Sequence, residues 1–346
     1  MKRIFVLSAI VLSNLSVVAC TTFFINKNGQ MIFGRNYDWV TDAGMICTNL
    51  KGLSKTSLQT ENGESISWIS KHGSITFNQY GKEFPTGGMN EKGLVVELMW
   101  LDETTYPPAD SRPAIGVLQW IQYQLDNCTT IEEVIATDKQ LRISATGTTP
   151  LHYLVADANG KAATIEFLEG KMVVHKGNDL TVPVLTNNIY DESVKAYENS
   201  SANGNNSLER FSEACSMIQK LNAGTINKPI TDYAFDILRD VAQGDFTKWS
   251  IVYDITNKRI QFKTNRFKQV KTVSFSAFDF NCTATAKVWD MNQPANGTIN
   301  NLFENFSPAV NKRIVETAAK EGESRVPISQ TNIERLWGYS SAIKCQ

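Results

Sequence analysis

Histidine is scarce in this chain: three copies, at 72, 152 and 175, in 346 residues. So few leave little for a histidine-built metal site or a conventional histidine-assisted hydrolase, and no Gly-x-Ser-x-Gly turn is present. The six cysteines, at 20, 47, 128, 215, 282 and 345, include no Cys-x-x-Cys pair, which removes zinc-ribbon and thioredoxin-like readings. Neither sign of charge is in excess, with 34 Lys+Arg against 35 Asp+Glu, so no broad basic surface for nucleic acid is expected. Beyond the N-terminus no apolar run approaches the ~18 residues of a membrane span. There is no internal repeat and no linker long enough to separate domains. What is there, 42% hydrophobic and 20% charged residues, fits a globular chain with an ample core.

The N-terminus reads MKRIFVLSAIVLSNLSVVAC. Lys2 and Arg3 precede an apolar stretch from Ile4 to Leu15, and Val17-Val18-Ala19 precedes Cys20, the pattern of a secretory signal peptide over 1–19. Residues 20–346 then form one exported domain, periplasmic or secreted, with Cys20 at the mature N-terminus. Two readings of Cys20 compete. In one, Val17-Val18-Ala19-Cys20 is a lipobox and Cys20 carries a lipid anchor. In the other, Cys20 is a nucleophile with its own α-amine as base. The continuation Thr21-Thr22-Phe23-Phe24-Ile25 favours the second, because its β-propensity opens a buried strand rather than a polar tether.

Strands are expected at 20–25 and 30–36, joined by the Asn28-Gly29 hairpin signal, and at 65–70, 74–79, 94–101, 151–157, 161–167 and 171–175, with one more ending at Thr186-Asn187. Turns are read at 85–88 and 90–93. A helix is expected over 113–126, and Thr130-x-x-Glu133 is a capping box for another. Helices follow at about 191–198, 208–221 (capped by Ser207) and 231–242. A hairpin at 249–254 and 259–264, a strand at 273–280 and short helices in the last 45 residues complete the chain. Hairpins dominate, so the sheets should be largely antiparallel. The order of elements gives an α+β class, with sheets packed on each other and helices outside.

The first hairpin returns Arg35–Asp38 to the neighbourhood of Cys20. The α-amine, with an ordinary pKa of about 7.7–8.0, can take the thiol proton and return it to a leaving amine. Asp38 would hold that amine, and Arg35 would favour the thiolate and balance Asp38. Alternatively, Arg35 and Asp38 form a structural ion pair at a strand end.

Phe33-Gly34-Arg35-Asn36-Tyr37-Asp38 behind Cys20, Gly88-Met89-Asn90-Glu91-Lys92-Gly93-Leu94, Leu185-Thr186-Asn187 and Leu208-Glu209-Arg210-Phe211 together resemble the choloylglycine hydrolase / penicillin V acylase family. These are linear-amide C–N hydrolases of the N-terminal nucleophile superfamily. The resemblance implies a four-layer αββα fold with two stacked sheets, no metal and no cofactor, and it suggests a homotetramer. It makes Cys20 the nucleophile, places Arg35 and Asp38 beside it, gives Asn187 an oxyanion-hole amide, and gives Arg210 a place in the polar network of the site. Without the resemblance, Arg210 reads as a solvated charge at a helix start, where the macrodipole disfavours a cation. Trp100 falls where relatives carry Asn or Tyr, a departure from bile-salt-cleaving Gram-positive members. Trp39 and Trp100 read either as substrate-binding walls for a flat or apolar acyl group or as plain core packing. Glu97, in an apolar strand, reads either as a pocket carboxylate or as an outward-facing residue.

The implied substrates join an apolar acyl group to a polar amine: conjugated bile salts, penicillin V, or N-acyl amides such as N-acyl amino acids and acyl-homoserine lactones. The competing class is a lipid-anchored, non-enzymatic binding lipoprotein. If Cys20 is reserved for chemistry, five cysteines remain, so at most two disulfides form, and Cys215, on an apolar helical run, reads as a buried free thiol. Mass spectrometry of the mature N-terminus separates the two classes. A free Cys20 amine is expected, and a diacylglyceryl adduct with an acylated amine would remove the base and sink the enzyme reading.

Overall fold

In the computed structural model the described residues are 20–346 apart from 61, 62, 146, 147 and 203; the expected leader, 1–19, lies outside them. Asn28 and Gly29 take the left-handed backbone, with φ of 52° and 77°, and so close the hairpin between Thr21–Lys27 and Gln30–Asp38. This hairpin supplies the second and third strands of a seven-stranded sheet. Its order is Val184–Leu185, Thr21–Lys27, Gln30–Asp38, Thr247–Asp254, Arg259–Thr264, Lys271–Ser274 and Gly297–Thr298. Only the last pairing is parallel.

A nine-stranded sheet, antiparallel throughout, lies against it. Its order is Lys171–Lys176, Ala162–Leu168, Leu151–Ala156, Val95–Trp100, Pro85–Asn90, Ser74–Asn78, Met45–Asn49, Lys287–Asp290 and Glu304–Asn305. The core between the sheets holds Phe23, Phe33 and Ile251 from one and Phe77, Met99 and Leu154 from the other. Helices Asn206–Asn222 and Ile230–Asp240 cover the seven-stranded sheet, and Val117–Asn127 covers the nine-stranded one. Trp120 and Ile121 of that last helix pack on Val96 and Tyr153, the sheet's other face. The result is the αββα fold of N-terminal nucleophile hydrolases. Among the described residues no helix is long and apolar enough to cross a membrane.

The capping box forms, with Thr130 accepting from the Glu133 backbone and Glu133 answering. Several details differ from the sequence reading. Pro85–Asn90 is a strand, not a turn. Gly87 pairs with Glu97 in register, and a Cβ there would overlap the Glu97 carboxylate; the glycine makes room rather than a bend. The strand expected at 273–280 stops at Ser274 and gives way to a 3₁₀ turn. The helix expected to start at 208 starts at Asn206, so Asn205 caps it by accepting from the Ser207 and Leu208 amides at 3.0 and 3.2 Å, and the Ser207 hydroxyl is released for other work. The strands Met45–Asn49 and Lys287–Asp290 were not foreseen.

Cys282 and Cys345 form a disulfide, while Cys47, Cys128 and Cys215 are buried free thiols. Cys345 lies on a short C-terminal strand paired with Leu53–Thr56. Gly87→Ala is expected to lower the unfolding free energy by about 1–3 kcal/mol through overpacking. Equilibrium denaturation measures this, and an unchanged midpoint would show that Glu97 has slack.

Candidate active site

The hairpin register pairs Thr21 with Asn36 and Thr22 with Arg35. The end of the second strand therefore lies beside Cys20, as the sequence predicts. Cys20 is buried, and its Sγ is 3.9 Å from the Asp38 carbonyl oxygen. Burial raises the thiol pKa; Arg35 opposes the rise, the Asp38 carboxyl adds to it, and the Asp38 carbonyl contact and Arg210 oppose it. No histidine is among these groups, so the thiol has no imidazole base among the described residues.

Arg35 does not pair with Asp38. Three residues apart on one strand, the two side chains leave opposite faces. Arg35 points between the sheets, where its guanidinium meets the Glu97 carboxylate. It also donates to the Thr86 and Leu98 carbonyls at 2.9 and 3.1 Å and lies 4.6 Å from the Tyr37 ring centre. Glu97 faces inward too, because Val95, Glu97 and Met99 share one face of their strand. It is fully buried, accepts from the Tyr253 hydroxyl, and is neither outward-facing nor a wall of the cavity. Burial raises the Glu97 carboxyl to about 7 against the pull of Arg35 and Tyr253.

Asp38 is fully buried, and no donor among the described residues meets hydrogen-bond geometry on either carboxylate oxygen. Burial raises it to about 7, opposed by Arg210, the Thr247 hydroxyl, Arg35 and Lys248. Arg210 is 4% exposed, which excludes the solvated-charge reading. Its Nη1 donates to the Cys20 carbonyl and the Thr21 hydroxyl, both at 2.6 Å, and its Nη2 donates to Asn187 Oδ1 at 3.0 Å. Asn187 Nδ2 gives one hydrogen to the Trp100 carbonyl at 2.8 Å. These two contacts fix the amide's orientation and leave its second N–H unused.

Sequence reasoning missed the residues that hold Asn187 in place. His152 Nε2 is 2.7 Å from the Thr186 carbonyl, and its Nδ1 is 3.1 Å from Glu166. Glu166 also accepts from the Tyr190 amide at 3.1 Å. The freed Ser207 hydroxyl accepts from the Asn187 amide at 2.8 Å and reaches Thr186 Oγ1 at 3.1 Å. Residues 186–190 are thus pinned from both ends. The available signal was a histidine and a glutamate, each inside an otherwise apolar strand.

Trp39 and Trp100 face each other with ring centres 6.2 Å apart. Trp39 donates to the Tyr80 hydroxyl at 3.1 Å and Trp100 to Asp102 at 2.6 Å. Both line a cavity of about 330 Å³ that also contains Cys20, Tyr37, Leu98 and Leu151. One side of it is built from Val326, Ile328 and Leu336 near the C-terminus.

The sequence model of the linear amide C–N hydrolases, choloylglycine hydrolase family, matches residues 20–227. The chain belongs to the choloylglycine hydrolase family. It is therefore a linear amide C–N hydrolase. It is 28% identical over 309 residues to a penicillin V acylase of Pectobacterium atrosepticum, covering 74% of this chain and 80% of that protein. The solved penicillin V acylase of Agrobacterium tumefaciens superposes with a TM-score of 0.71 at 26% identity, covering 84% of this chain and 98% of that one. A variant of the conjugated bile acid hydrolase of Clostridium perfringens shares the fold at 17% identity, with a TM-score of 0.65 over 80% of this chain and 98% of that one.

The raised Asp38 carboxyl makes a testable statement about this choloylglycine hydrolase-family enzyme. A carboxyl that binds its proton more tightly folded than unfolded favours the fold when protonated. That advantage is lost as pH rises from the ordinary value of about 4 through about 7. In a chain whose Cys20 nitrogen is still in a peptide bond, thermal stability should fall across this window, and Asp38→Asn should flatten the fall. Calorimetry against pH checks this, and an unaltered slope in the variant would refute it.

Proposed function

We propose that the mature protein is an exported amidase that transfers an apolar acyl group from a polar amine to Cys20 and then to water. The observation that carries this reading is the Arg210 guanidinium, which ties the Cys20 carbonyl to the Asn187 side-chain amide beside an apolar cavity. Removal of residues 1–19 converts the Cys20 nitrogen into an α-amine. The buried Asp38 carboxylate, without a hydrogen-bond donor of its own, suits an ammonium at that nitrogen and returns toward its ionised form beside it. The neutral amine takes the thiol proton, and the thiolate attacks the substrate carbonyl carbon. The developing oxyanion receives the unused N–H of Asn187, a donor held in place before the charge forms. The ammonium then protonates the departing amine as the C–N bond breaks, leaving a thioester on Cys20. Water, deprotonated by the same amine, attacks the thioester and releases the carboxylic acid and the free thiol.

The tilted Trp39 and Trp100 rings, with Leu98 and Leu151, favour a flat or extended apolar acyl group. Phenoxyacetyl amides such as penicillin V fit this description well, and conjugated bile salts and N-acyl amides share its chemistry. A lipid anchor on Cys20 is the less supported alternative, since Thr21 already pairs with Asn36, and Thr22 and Phe23 pair with strands on both sides, rather than leading into a tether.

The test is hydrolysis of penicillin V, conjugated bile salts and N-acyl amides by the mature protein. Cys20→Ser should abolish turnover of every substrate while leaving the melting temperature unchanged, and retained turnover would refute the assignment. Asn187→Ala should lower kcat by about 10²–10³; a change confined to KM would exclude the oxyanion role.

A further inference from the structure

The cavity that holds Cys20 does not end at the tryptophans. A second cavity of about 350 Å³ adjoins it, and the two share Leu58, Val117, Leu118, Arg335 and Leu336 among their walls. Together they form one path leading away from the thiol. Its described walls are apolar or neutral with one exception: Arg335, on the helix Gln330–Gly338, is the sole charged side chain lining either cavity. Arg335 makes no salt bridge and no side-chain hydrogen bond among the described residues. The other arginines near the site already have charged or polar partners, Arg35 in Glu97 and two carbonyls, Arg210 in Cys20, Thr21 and Asn187.

Arg335 is exposed at the rim of this path, among apolar and neutral polar walls that carry no opposing charge, so its field on a ligand is offset only by solvent and salt. A guanidinium also offers two parallel N–H donors that match a carboxylate or sulfonate. The geometry points to Arg335 as the specificity-determining residue for an anionic group on the substrate, remote from the scissile amide. This rests on the amidase reading of Cys20 and adds the charge of the substrate to it. The anionic group lies either on the departing amine or at the far end of the acyl chain, and the two are told apart by experiment.

Three substrates with the same long acyl spacing serve: an N-acylglycine, its neutral N-acylglycinamide, and a dicarboxylic acid joined at one end to glycinamide. The mature enzyme should hydrolyse all three, with kcat/KM for one of the two anions about fivefold above that of the neutral compound. Which anion is favoured reports which end of the substrate reaches Arg335. Arg335→Ala should erase the preference through KM, and an unchanged melting temperature shows that the variant is folded. Arg335→Lys should keep most of the preference, and Arg335→Glu should place the anion below the neutral compound. Higher salt should narrow the wild-type preference. Hydrolysis of all three with the same anion-to-neutral ratio in wild type and Arg335→Ala overturns the assignment of Arg335 alone. Hydrolysis of none overturns the amidase reading and this proposal with it.

Discussion

The pairing of Arg35 with Glu97 joins the two sheets at the point where the site is built. Both side chains are fully buried, so each has given up its hydration, and the pair is tolerable only because further bonds complete it: carbonyls for the guanidinium, the Tyr253 hydroxyl for the carboxylate. Removing one partner of such a pair strands a buried charge, at a cost of about 3–5 kcal/mol. Neighbouring choices follow from it. Gly87 has no side chain because the carboxylate lies there. Arg35 also acts on the Cys20 thiol and lies against Tyr37, a wall of the cavity. The contact that stacks the sheets therefore also sets the charge felt by the thiol.

Much of the hairpin around Cys20 was legible because its determinants are local. Asn28-Gly29 specifies the turn, the turn specifies the register, and the register brings 35–38 back to 20. Asn187 and Arg210 were legible only through family resemblance, since Arg210 acts on Cys20 from 190 positions away and nothing local announces that contact. Glu97 lay on a readable inward face, but its partner stands 62 positions earlier, and the natural expectation that Arg35 would pair with nearby Asp38 ignored the alternation of the strand. Pro85-Thr86-Gly87-Gly88 has the composition of a turn, and it misleads because those glycines answer steric demands from the two neighbouring strands, Gly87 from Glu97 and Gly88 from Ile75 and Thr76. Met45–Asn49 escaped notice because all five residues are buried, which erases the alternation that marks a half-exposed strand. A buried cluster in which Lys55 meets Glu83 and Asp126 was equally hidden, since charged residues read as surface until their partners are known.

The scarcity of histidine has a structural counterpart. Two of the three, His152 and His175, are held close to Glu166, and His152 serves the backbone ahead of Asn187 rather than the thiol. No imidazole among the described residues acts on Cys20, which is why the proposed mechanism gives its proton to the α-amine that cleavage would free. Asp38, buried and without a donor in good hydrogen-bond geometry among the described residues, is the carboxyl that such an amine would meet in the proposal.

The wall formed by 326–336 separates two properties along the chain. The residues proposed to carry the chemistry fall between 20 and 210, inside the stretch that matches the family, 20–227. The far side of the cavity comes from beyond it, on a segment followed by a strand that the Cys282–Cys345 disulfide fastens to the body. Substitutions in that segment would reshape the cavity at a distance in sequence from Cys20, Asp38 and Asn187. In the proposed mechanism, selectivity can therefore change independently of reactivity, through a part of the chain that lies outside the segment matched by the family model.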